Sequence, residues 1–264
     1  MMIMMTTVPE GKQQDGRYCR YFRLGATEVD LHNRMRLQAL LGFFQETAGD
    51  QCEEFGSGWK ALWNGHGLCY VVVRMEIRME RYPGTGERIR VDTWPENKLR
   101  MIFARYGEIF DESGARLGSI VSQWALLDVN KRHFVRPTPE IVAMPDTSTL
   151  SAPFELSGEV RATKVNADEA AGARPEVRAF SVSRRPVYSD FDYNGHMNNS
   201  RYAEWVNDAL WMAFTAEERA AEPFVKRLNI KFRAEIPAGM ADSEITVSGE
   251  TAHFEADADY EMIG

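Results

Sequence analysis

Asp192, Asn194 and His196 set a carboxylate, an amide and an imidazole at alternate positions of the segment Asp192-Tyr193-Asn194-Gly195-His196-Met197-Asn198-Asn199. Between them, such groups can take a proton, orient a water and polarise a carbonyl. The residues that follow, Tyr202, Trp205, Val206, Ala209, Leu210 and Ala213, recur at i, i+3, i+4, i+7, i+8 and i+11, the stripe of an amphipathic helix. Reactive side chains would then collect at a helix start, where unpaired N–H groups and the positive end of the dipole favour a developing oxyanion. Backbone N–H groups from Gly195 to Asn199 could hold that oxyanion, and Asn198 or Asn199 is a candidate N-cap. A plainer reading stands beside this one: Asp and Asn also bond their own backbone in turns.

The elements that must position these groups occur twice. Segments 22–60 and 180–218 follow one plan at an offset of 162 residues, pairing Asp30 with Asp192, Met35 with Met197, Phe43 with Trp205 and Glu46 with Asp208. In the first copy the helix stripe is Leu37, Leu40, Leu41, Phe44 and Ala48. Each helix is followed by an alternating strand. Val73, Met75, Ile77 and Met79 oppose Arg74, Glu76, Arg78 and Glu80; in the second copy Leu228, Ile230, Phe232, Ala234 and Ile236 oppose Asn229, Lys231, Arg233 and Glu235. Further strands are expected at 88–95, 101–111 and 115–136 in the first copy, and at 224–236 and 243–254 in the second. By analogy, the second copy is short of a final strand by roughly 25 residues, which leaves a sheet edge open and favours a homodimer. The expected organisation is a flexible tail (1–16), a first unit (17–136), a Pro-, Ala- and Ser-rich linker (137–178) and a second unit (179–264). Each unit is an antiparallel sheet with one long helix, an α+β architecture.

Composition narrows the function classes. A net charge of −8 argues against general nucleic-acid binding. It leaves room for an acidic partner at a local patch such as Lys131, Arg132, His133 and Arg136, though a solvated loop accounts for that patch equally well. No apolar run approaches a membrane span, and the opening Met1-Met2-Ile3-Met4-Met5 lacks the length and basic start of a signal peptide. Three scattered cysteines suit a reducing cytoplasm and make no disulfide framework. Neither a metal constellation nor a phosphate loop is visible, so no cofactor is expected.

The pattern Asp192-x-Asn194-x-His196-x-Asn198-Asn199-x-x-Tyr202-x-x-Trp205, with Val73-Arg74-Met75 through Arg81-Tyr82-Pro83 and Val91-Asp92-Thr93-Trp94 in the first copy, resembles the acyl-acyl carrier protein (acyl-ACP) thioesterases of plants and bacteria. The resemblance covers about residues 18–264. It implies a tandem hotdog fold, each unit a sheet wrapped around a long helix, and cleavage of the thioester that joins a fatty acyl chain to the carrier protein's phosphopantetheine arm. It places the family's active-site residues on Asp192, Asn194 and His196, and its catalytic-region glutamate on Glu235. Plant members carry a cysteine after that glutamate; here Ile236 stands there, which favours attack by water. Asn198 and Asn199 are carried as substrate-contacting positions, and Val73, Met75 and Ile77, with Val71, as candidates to line an acyl tunnel in the first unit. That unit keeps Asp30 but has Leu31-His32-Asn33-Arg34 where the second has Tyr193-Asn194-Gly195-His196, and Arg81 is expected opposite Glu235. It therefore lacks the full set. Glu235 as base, with the other three positioning and polarising, is the preferred chemistry, yet its strand parity puts Glu235 on the polar face unless a bulge near Pro237 re-aims it. Two alternatives remain: an acyl-CoA thioesterase, and a non-catalytic acyl-binding protein on the same fold.

Overall fold

The apolar stripe of the first repeat, Leu37, Leu40, Leu41, Phe44 and Ala48, is buried along one side of an 18-residue helix, α1 (Leu37–Glu54). The computed structural model describes residues 8–157, 177–232, 234–252 and 259–261. The chain divides into two units, one running to Met75 and resuming over Glu80–Glu155, the other comprising Glu76–Met79 and the residues from Leu156 onward.

In chain order the first part contains β1 (Gly11–Lys12), β2 (Tyr18–Arg23), α1, α2 (Trp59–His66), β3 (Leu68–Met79), β4 (Arg88–Pro95), β5 (Phe103–Asp111), β6 (Arg116–Asp128) and β7 (His133–Val135). Its strands lie in the order β1-β2-β4-β5-β6-β3, and β7 folds back onto β6. The pairs from β1 through β6 are antiparallel. Helix α1 packs on β2 and β4, with Phe22 and Phe43 stacked at 4.3 Å. Close approach of the helix to β5 depends on Gly107, where a Cβ would come within 2.6 Å of the Phe44 ring. Interiors packed at crystal density have no room for that atom.

Part of the predicted linker has a packing role. Val142 joins Leu62, Leu68 and Leu126 in a buried cluster. Ser57 Oγ donates to the Ala143 carbonyl at 3.3 Å, and the buried Thr147 hydroxyl donates to the Pro95 carbonyl at 2.9 Å. The remainder of the linker, 158–176, lies outside the described residues, as does the start of the expected flexible tail. Residues 8–16 of that tail are described and include β1.

The second unit holds β8 (Val177–Arg184), α3 (Asn199–Ala213), the short α4 (Ala216–Ala220), β9 (Phe224–Lys231), β10 (Ile245–Ala252) and β11 (Asp259–Glu261). Strands β8 and β10 pair antiparallel, while β11 runs parallel to β9. Helix α3 contacts β8, β9 and β10 and buries Ala203, Trp205, Ala209 and Leu210.

Two strand readings are corrected. β9 ends at Lys231, so Ala234–Ile236 leave the ladder and the strand-face parity of Glu235 does not apply. Glu76, expected on the polar face of β3, is fully buried. Its carboxylate accepts from Arg78 Nε (2.9 Å), Arg227 Nε (2.9 Å) and the Ser157 amide (2.9 Å). A buried carboxylate is tolerated when it is paired and hydrogen-bonded in this way. Of the predicted tunnel residues, Met75 and Ile77 are buried and Val73 is half-buried.

Candidate active site

The segment between β8 and α3 is folded by local hydrogen bonds. Asp192 Oδ1 accepts from the Asn194 amide (2.8 Å), the Asp192 amide donates to the His196 carbonyl (2.9 Å), and the Gly195 amide donates to the Asp192 carbonyl (3.0 Å). Gly195 sits at φ 76°, the left-handed region that a residue without Cβ enters freely. Phe191 and Met197 face each other across the base of the turn. Asn198 is the N-cap of α3, its Oδ1 accepting from the Ser200 amide (2.9 Å) and hydroxyl (2.7 Å); Asn199 is the first helical residue.

The irregular chain after β9 closes on this turn. The Met197 amide donates to the Ile236 carbonyl and the Ala238 amide to the Gly195 carbonyl, both at 2.8 Å, and His196 and Pro237 form an isolated bridge. These backbone bonds carry Glu235 to the imidazole: Glu235 Oε2 lies 3.3 Å from His196 Nε2, with both side chains partly open to solvent. The Asn194 amide oxygen is buried with no protein hydrogen-bond partner, an acceptor left over for something else. Tyr202, one turn into α3, packs edge-on against Phe232 at 5.3 Å. Burial pushes its phenol pKa up; the Ile236 backbone pulls it down, and the Glu235 charge adds to the rise.

The turn thus gathers Asn194, His196 and Glu235. Asp192 is placed differently. Its carboxylate holds the turn through the Asn194 amide and, among the described residues, makes no hydrogen bond or ion pair with the imidazole. Here the plainer turn reading describes the geometry.

Sequence reasoning missed Asp190, which continues the same alternation two residues upstream and is only 2 % exposed. Its Oδ2 accepts from the Val187 amide (2.9 Å), its Oδ1 from Trp205 Nε1 (3.4 Å), and its carbonyl from the Asn198 amide (2.9 Å). Arg201 Nε lies 3.8 Å from Oδ1 and donates to the Ser189 carbonyl. One carboxylate therefore ties the entry of the turn to the helix that follows it. The i, i+2 spacing was the available signal.

The first unit contains the same turn. Asp30 N–H to Arg34 C=O (2.8 Å), Asn33 N–H to Asp30 C=O (3.1 Å), His32 N–H to Asp30 Oδ1 (2.9 Å) and Arg36 N–H to Glu28 C=O (2.8 Å) reproduce the second-unit bonds at the 162-residue offset. Asn33, at φ 57°, takes the place of Gly195. The Met35 amide donates to Pro83 as Met197 does to Ile236, so Tyr82, not Arg81, occupies the position of Glu235. With Arg34 for the imidazole and Tyr82 for the carboxylate, this turn has the frame without the acid–base pair.

Sequence models of the acyl-ACP thioesterase N-terminal domain and C-terminal domain match residues 15–144 and 175–261. The chain belongs to the acyl-ACP thioesterase family. Among its relatives are the chloroplastic acyl-[acyl-carrier-protein] hydrolase FATB3 of Cuphea viscosissima, 25% identical over 73% of this chain and 47% of the relative, and the chloroplastic oleoyl-acyl carrier protein thioesterase of Coriandrum sativum, 23% identical over 75% and 55%. The chain spans about half the length of the curated relatives it matches. Two solved structures share the fold of this family member: an acyl-ACP thioesterase from Bacteroides thetaiotaomicron (TM-score 0.67, 22% identity, covering 92% of this chain and 89% of the other) and a 12:0-ACP thioesterase from Umbellularia californica (0.63, 19%, 91% and 89%). The architecture is the hotdog type in each unit. Among the described residues no His, Cys, Asp and Glu side chains cluster as a metal site, and no helix is long and apolar enough to cross a membrane.

Proposed function

We propose that this protein hydrolyses the thioester of a fatty acyl chain carried on acyl carrier protein, releasing the fatty acid and the carrier thiol. The observation that carries the reading is the His196–Glu235 pair at 3.3 Å beside the unpartnered Asn194 oxygen. Glu235 takes a proton from water, and Asn194 Oδ1 accepts the second water hydrogen and aims the oxygen at the acyl carbon. His196, paired with the carboxylate, polarises the carbonyl and returns the proton to the departing thiolate. The C–O bond forms as the C–S bond breaks, with the oxyanion facing N–H groups near the start of α3. Ile236 offers no nucleophile, which agrees with a direct water route. The printed names of the relatives, all acyl carrier protein hydrolases or thioesterases, support the substrate class.

Thiol release from an acyl-ACP panel tests this. Glu235→Gln and His196→Ala are each expected to lower kcat by about 100-fold or more; turnover of Glu235→Gln near the wild-type rate would end its assignment as base. Coenzyme A presents the same pantetheine arm, so the same acyl groups on coenzyme A separate the two carriers. A larger kcat/KM for the coenzyme A esters would move the assignment to that substrate.

A further inference from the structure

The hairpin joining β6 to β7 runs against the charge of the rest of the chain. In a protein of net charge −8, residues 128–136 hold Lys131, Arg132, His133 and Arg136 against one carboxylate, Asp128. Asp128 is committed to the loop: its Oδ1 accepts from the Asn130 amide (3.0 Å) and the Lys131 amide (2.8 Å), and its Oδ2 lies 3.7 Å from Lys131 Nζ. The four basic side chains are exposed, and Phe134 beside them is 45% exposed. Surface arginines elsewhere in this unit sit against carboxylates, Arg81 with Glu87 and Asp111, Arg116 with Glu80 and Glu108. Arg136, by contrast, has no carboxylate within ion-pair distance among the described residues.

A second observation comes from the backbone. Arg132 closes the loop, its amide donating to the Asp128 carbonyl at 2.8 Å, and it does so at φ 55°. Glycine or asparagine occupies that left-handed position without strain, whereas a residue with an ordinary side chain costs about 1 kcal/mol there. A strained residue on an exposed tip gains the fold nothing, which directs attention to binding.

We propose that this hairpin is the docking surface for the acidic protein that carries the acyl thioester. The inference rests on the carrier-protein reading above and adds to it where the carrier is met. Lys131, Arg132 and Arg136 supply charge complementarity, which acts mainly on encounter and on choice of partner, and Phe134 supplies apolar contact area.

The test compares two thioesters of one acyl chain, on acyl carrier protein and on free pantetheine, which carries no charge. Lys131→Glu/Arg136→Glu is expected to raise KM for the carrier-bound ester about tenfold with kcat retained. It should also flatten the salt dependence of kcat/KM and leave pantetheine ester hydrolysis unchanged. Unchanged KM on the carrier-bound ester, or an equal loss on both esters, would overturn the proposal. Direct titration with the holo carrier protein keeps the test independent of turnover: weaker binding by the variant supports the surface even if neither ester is cleaved, and equal binding removes it. Arg132→Gly should raise the melting temperature while weakening carrier binding. A raised melting temperature with binding intact would count against the hairpin.

Discussion

At the scale of single residues, the site depends on a carboxylate that touches no substrate. Asp190 satisfies the Val187 amide and the Trp205 indole with its two oxygens, and its carbonyl takes the Asn198 amide. Asn194 and His196 lie on the chain between those anchors, so their placement is only as good as Asp190's bonds. Asp190→Ala leaves buried donors unpaired and is expected to cost about 2 kcal/mol in a denaturant melt. Kinetics separate positioning from plain stability: kcat should fall while KM for the thioester holds, because carrier and chain contacts lie elsewhere. Trp205→Phe, which deletes one of the two donors, should produce a smaller loss, and its effect should not add to that of Asp190→Ala. Wild-type kcat in an Asp190→Ala protein of lowered stability would reduce Asp190 to a structural role.

At the scale of elements, the turn is a reusable frame, and its two copies test each other. The left-handed position is glycine in one copy (Gly195, φ 76°) and asparagine in the other (Asn33, φ 57°). Space does not restrict Gly195, since nothing lies within 4 Å of a Cβ built there; backbone conformation does. Gly195→Ala is therefore expected to destabilise by about 1 kcal/mol and Gly195→Asn by less, with matching order in activity; equal melting midpoints for the two variants would contradict this. Much of this frame was legible in the sequence. The helix stripes, the repeat offset and the Asp-Asn-His alternation are local patterns, and the helix period of 3.6 leaves little choice about which faces go inward. The illegible parts are non-local. Ala234, Glu235 and Ile236 keep a strand's alternation, yet their backbone is recruited by the turn around Gly195 and Met197, so Glu235 meets His196 by a route no periodicity encodes. The one-residue slip between Arg81 and Tyr82 has the same origin, because only the Met35–Pro83 bond fixes that register. Glu76 looked solvent-facing because the groups that bury it, Ser157 and Arg227, lie 81 and 151 residues along the chain.

At the scale of the molecule, two buried carboxylates make opposite contributions to the response to acid. Burial alone would push Glu76 up, but the Ser157 amide, Arg78 and Arg227 outweigh it and hold the carboxyl below the usual glutamate range. A depressed folded-state pKa contributes stability above the unfolded value, and that contribution is lost as pH falls through the folded value. Asp92 is the reverse case. Burial raises it above the usual range, and Arg90 at 2.9 Å and Arg17 at 3.9 Å offset only part of that. A raised carboxyl contributes fully below the unfolded value and loses its contribution as pH rises through the folded one. Urea melts across pH should therefore split the two. Glu76→Gln should lower the midpoint near neutral pH and converge on wild type below about pH 4, where the wild-type carboxyl is itself protonated. Asp92→Asn should raise the midpoint near neutral pH and leave it unchanged in acid, since the amide keeps an acceptor for Arg90 without charging a buried site. The sign at neutral pH decides the matter: an Asp92→Asn protein less stable than wild type there would mean that the two arginines make the ionised form the favoured one, and the assignment of burial as the dominant effect at Asp92 would fall.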